Sequence, residues 1–65
     1  MLALETLSAN GKELITKGKK YTLGMEFDYI TKYYVIDDYG DKLYLEKEEV
    51  LSKFKLSEKE NLIWL

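Results

Sequence analysis

Asp37, Asp38 and Asp41 fall within five positions of one another between tyrosine-rich segments, and Glu46, Glu48 and Glu49 follow closely. Carboxylates at that density suggest two kinds of chemistry: holding a hard cation, or moving a proton. A calcium loop needs its oxygens at alternate positions around a glycine turn, and Asp-Asp-Tyr-Gly-Asp misses that spacing. Adjacent side chains of an extended chain also point apart. Proton transfer would pair Asp41 with Glu46, or Glu48 with Glu60. Such pairs work where burial separates their pKa values, and a solvated hairpin leaves them alike. Ser8, Ser52 and Ser57 have no imidazole to activate them, because the chain contains neither histidine nor cysteine. A serine–lysine pair would need a buried lysine in a chain with little interior. The expectation is a protein that is not an enzyme, with no catalytic residues, no metal site and no cofactor.

Geometry accounts for the aspartates more simply. Asp37-Asp38-Tyr39-Gly40 carries aspartate first and glycine fourth, as a type I turn closed by a glycine bulge prefers, and the Asp37 carboxylate can accept from the turn's N–H groups. Residues 33–37 are rich in β-formers and 42–46 alternate around Leu43 and Leu45, so both predict strands. Upstream, Asn10-Gly11 suits the left-handed dihedrals of a tight hairpin turn, joining a strand over 1–8 to one over 13–16. Tyr21, Leu23 and Met25 alternate with Thr22, predicting a strand that follows a turn or bulge at Gly18 and bends at Gly24; residues 28–32 read as the next connection. The period then changes. Glu48, Glu49, Val50, Leu51 and Phe54 predict about one helical turn, with 54–56 as a closing strand. Ser57 and Glu60 have capping-box spacing, with few residues after them to be helical.

The 65 residues leave room for one domain with a thin core, and 46% hydrophobic content favours order despite 34% charged residues. Apolar runs such as 33–36 are too short to cross a bilayer, and the N-terminus lacks a basic segment followed by an apolar one. A cytoplasmic protein without a membrane partner is expected. The net charge of −2 gives no overall attraction to nucleic acid, and every basic residue is lysine, without the arginine that bidentate recognition uses.

Together, "ELITKGKKYTL", "YYVIDDYGDKLYL" and "EEVLSKF" resemble the small SH3-like barrel proteins of phages and low-GC Gram-positive bacteria. The matching stretches are 15–21, 33–40, 43–45 and 48–54. Glu46-Lys47 stands where that family often has proline. The resemblance implies an all-β fold: an SH3-like five-stranded barrel over residues 1–56 with a short helical turn near its C-terminal end, then an apolar tail over 57–65. It carries no functional residues with it.

The expected function is therefore binding. Lys12, Lys17, Lys19 and Lys20 cluster near the first hairpin and the acidic residues in the second half, which suggests a face suited to a bacterial host protein with a basic surface. Six tyrosines exceed what so small a core can bury; Tyr29, Tyr34, Tyr39 and Tyr44 are the expected exposed set. Tyr34, Asp37, Asp38, Tyr39, Asp41, Tyr44 and Glu46 are the expected partner-binding residues. Leu62, Ile63, Trp64 and Leu65 form an apolar run suited to joining the core, anchoring a partner or holding a homodimer or higher homo-oligomer together. The concrete expectation is a phage or prophage accessory protein that inhibits a bacterial host protein, such as a defence or nucleic-acid-processing factor. Two other classes fit the composition: an oligomer that sequesters a nucleotide signal, and a nucleic-acid-binding barrel, which the charge disfavours.

Overall fold

A computed structural model describes residues 1–64, the last by its backbone alone. Seven short strands form three small antiparallel sheets, with two short helices and a 3-10 turn near the C-terminal end. The fold is small and mainly β. Its strands are β1 (Leu2–Ala3), β2 (Leu7–Ala9), β3 (Lys12–Ile15), β4 (Gly24–Asp28), β5 (Ile30–Ile36), β6 (Lys42–Leu45) and β7 (Phe54–Lys55). The helices are α1 (Lys47–Lys53) and α2 (Glu58–Asn61), and the 3-10 turn spans Leu62–Trp64.

The two turns read from local chemistry form as expected. Asn10 and Gly11 take φ values of 52° and 77° between the paired residues Ala9 and Lys12. At the β5–β6 turn Gly40 has φ 83°, and Asp37 Oδ1 accepts from the Tyr39 N–H at 2.8 Å and the Asp41 N–H at 3.0 Å. The first strand, by contrast, is broken: β1 stops at Ala3 and β2 begins at Leu7, with a register shift between Leu7 and Ser8. The break lets β1 pair with β7 while β2 turns back along β3. On its other side β1 is bridged by the chain near Lys20, where the Ala3 N–H donates to the Lys19 carbonyl at 3.0 Å.

The segment 28–32 is not a connection. β4 runs to Asp28, β5 starts at Ile30, and the chain reverses at Tyr29 with φ 63°. Its polar residues read as a loop, yet the hairpin extends beyond the core, where strand side chains face water. A tyrosine at positive φ is uncommon in folded chains.

The core comprises Ala3, Ile15, Tyr21, Val35, Leu45, Val50 and Phe54. β5 and β6 contribute through the face bearing Val35 and Leu45, while Tyr34 and Tyr44 pair on the opposite face. α1 runs for seven residues, longer than the single turn expected, and buries Val50. Beyond β7, Ser57 Oγ accepts from the Glu60 N–H at 3.3 Å and Glu60 Oε1 from the Ser57 N–H at 2.9 Å, so the expected capping box starts α2. The other Glu60 oxygen meets the Met1 amine at 3.1 Å. Among the described residues, no helix is long and apolar enough to cross a membrane.

Candidate functional site

The seven expected partner-binding residues do not share one face. Asp37, Asp38, Tyr39 and Asp41 sit at the β5–β6 turn, whereas Glu46 lies at the far end of β6, just before α1. Asp37 is buried and spends Oδ1 on its own turn, which corrects its assignment to a binding surface. Asp38 is likewise committed within the chain. Its Oδ2 accepts from Thr16 Oγ1 at 2.7 Å, and its Oδ1 accepts from Tyr21 OH at 2.7 Å and Lys19 Nζ at 2.9 Å. Only 18% of the Asp38 side chain is exposed. The bonds from Thr16, Lys19 and Tyr21 hold its carboxyl down from 3.8 to about 2. Tyr39 is exposed, with Lys12 Nζ 5.3 Å from its ring centroid.

The outer face of the three-stranded sheet carries a second polar group. Lys42 Nζ binds Glu26, and Tyr44 OH donates to Glu26 Oε2 at 3.1 Å. The Lys42 bond holds the Glu26 carboxyl below its usual range, and the Glu26 bond raises the Tyr44 phenol. Tyr34, expected to be exposed, is half-buried instead. Lys42 Nζ stands 4.8 Å from its ring centroid and the Tyr44 ring 6.0 Å away. The Tyr34 ring covers Gly24, its cross-strand partner, so closely that a Cβ there would fall 2.3 Å from Cζ. Gly24→Val is expected to force this ring off the sheet at a cost of about 1–3 kcal/mol. Tyr34 ring proton shifts and the urea midpoint report it; unchanged shifts would refute this packing.

One end of the sheet is open. β4 pairs with β5 along residues 30–34, but β6 pairs only with 33–36 before Glu46 leads into α1. Ile30, Thr31 and Lys32 therefore have no β6 partner, and a notch of about 330 Å³ opens there. Lys32, Tyr33, Tyr44 and Leu45 line it with Glu46 and Glu49. Glu49 Oε1 accepts from the Glu46 N–H at 3.0 Å, which fixes both residues at the helix start, and Glu49 Oε2 stands 3.9 Å from Lys53 Nζ, a half-exposed surface pair that a partner's cation would join or displace. Carboxylates beside aromatic rings suit a lysine or arginine side chain, and the uncovered stretch of β5 suits an extended backbone.

Of the notch residues, Tyr44 and Glu46 belong to the partner-binding set expected from the sequence; Ile30, Tyr33 and Glu49 do not, because the notch exists only where two strands end out of step. Tyr29, Tyr39 and Tyr44 are exposed as expected. Among the tail residues, Leu62 and Ile63 are exposed; the Trp64 side chain and Leu65 lie outside the described residues. Among the described residues, no group of three or more acidic side chains is placed to hold a metal ion. No protein-family model matches the chain, and neither the curated proteins nor the solved structures compared with it give a match.

Proposed function

We propose that the protein is a non-enzymatic binding module on an SH3-like five-stranded barrel, which takes an extended, lysine- or arginine-bearing segment of a partner protein into the notch beside Glu46 and Glu49. The barrel reading is supported by the central place of β1, flanked by β7 and the chain near Lys20, and by the helix that leads into β7. In that reading β1, the strand through Lys20 and β4, then β5, β6 and β7 are the five barrel strands, and β2–β3 is a hairpin excursion. The binding reading rests on one observation: Glu46 and Glu49 stand beside Tyr33 and Tyr44 where β5 outruns β6. In the setting that the resemblance implies, the partner is a bacterial host protein with a basic surface, inhibited by being bound.

The test compares capture of proteins from a low-GC Gram-positive lysate by wild type and by Tyr44→Ala, Glu46→Gln and Glu49→Gln variants, followed by titration of the captured protein. The glutamine variants remove charge while Glu49→Gln keeps an acceptor for the Glu46 N–H. Tyr44→Ala is expected to weaken binding about tenfold, the scale of a contact worth over 1 kcal/mol. Each glutamine variant should weaken it by under about 1 kcal/mol, since exposed ion pairs contribute little. A captured protein indifferent to all three variants refutes the notch. Recovery of nucleotide or nucleic acid without protein would favour the sequestering or nucleic-acid readings.

A further inference from the structure

β4 is an edge strand whose outer side has no neighbour among the described residues. Natural edge strands are shielded by proline, bulges or unpaired charge. β4 reads Gly-Met-Glu-Phe-Asp, and its central charge, Glu26, is already bound to Lys42. On the other face Met25 is exposed and Phe27 is 77% exposed, following Leu23 in the same alternation. A hollow of about 190 Å³ lies beside them, lined by Leu23, Met25, Lys59, Glu60 and Ile63.

This edge is self-complementary in one register. Two β4 strands related by a two-fold axis perpendicular to the sheet must oppose residues of the same face, so the axis falls on a residue. Centring on Glu26 sets that carboxylate against itself, and centring on Phe27 sets Glu26 against Asp28. Centring on Gly24 runs the second strand into the stretch at Lys20 that already pairs with β1. Centring on Met25 opposes Met25 to itself, Phe27 to Leu23 and Glu26 to Gly24. No charge then meets its own sign, and the apolar residues form one strip.

We propose that the chain forms a two-fold homodimer in which β4 strands pair antiparallel about Met25, with Phe27 of each copy seated against Leu23, Met25 and Ile63 of the other. A standard interface takes about 800 Å² per partner, roughly one sixth of the 4805 Å² accessible surface. β4 alone does not supply that area, so the 3-10 turn bearing Leu62 and Ile63 joins the contact. The dimer uses the β4 edge and the binding notch lies between β5 and β6, so either can fail without the other.

Sedimentation of the full chain over a concentration series tests the dimer, with Phe27→Asp as the disrupting variant, Tyr39→Asp as a control away from the edge, and circular dichroism to verify folding. Phe27→Asp is expected to raise the dissociation constant about 100-fold or more, because each dimer loses two buried aromatic side chains, one from each copy. Tyr39→Asp should leave it unchanged. The chain has no cysteine, so Met25→Cys and Glu26→Cys report register directly. Opposed residues lie within disulfide reach, whereas residues offset along the strands exceed it. Met25→Cys is expected to crosslink under mild oxidation and Glu26→Cys to remain uncrosslinked. A monomer at millimolar concentration, a dimer indifferent to Phe27→Asp, or equal crosslinking of both cysteine variants overturns the proposal.

Discussion

Phe54→Ala is expected to remove most of the chain's stability at 25 °C. Phe54 is 2% exposed, stacks edge-on against Tyr21 at 6.3 Å and ends α1 where β7 begins. Replacing a buried phenylalanine by alanine typically costs about 3–5 kcal/mol. A domain of this length has a total stability of about 3–10 kcal/mol at the usual stability per residue. One substitution therefore removes most of the margin, because among the described residues seven buried hydrophobic side chains share the core. Urea unfolding followed by far-UV circular dichroism checks it. A midpoint near that of the wild type would mean that the core does not depend on the α1–β7 junction.

Asp38→Asn is expected to give the second-largest loss, and to give it only where the wild-type carboxylate is ionised. Thr16, Lys19 and Tyr21 all donate to that carboxylate, and the Asp38 N–H donates to the Leu14 carbonyl at 2.9 Å. The group thus ties the β5–β6 turn to the end of the first hairpin. With the folded pKa depressed from 3.8 to about 2, the folded state binds its proton less readily than the unfolded chain. Its contribution is complete above the unfolded value and fades as pH falls from about 4 to about 2. Wild type and Asp38→Asn should therefore differ most at neutral pH and converge near pH 2. Urea midpoints across that range decide it; a constant gap would show that the cluster stabilises through shape alone.

Features set by neighbours in the chain were legible without coordinates. Asn10-Gly11 and the Asp37–Gly40 turn follow from dihedral preference, and the Ser57–Glu60 capping box from spacing. The mainly-β character follows from alternation around Leu43 and Leu45. The early end of β1, the reversal at Tyr29 and the length of α1 were misread, because each depends on what lies across from it. The acidic residues show the difference most clearly. As a string they read as one charged surface, yet Asp37 caps its own turn, Asp38 is tied to Thr16, Lys19 and Tyr21, and Glu46 stands at the other end of β6.

The small mainly-β character and the positions of two turns follow from local residue order, and the lack of histidine and cysteine chemistry from composition, because dihedral preference and side-chain type act within a few residues. Which strands sit at an edge, where β5 outruns β6 and which partners each carboxylate meets were settled by long-range packing. Those are relations between residues far apart in the chain, and local periodicity carries no record of who faces whom.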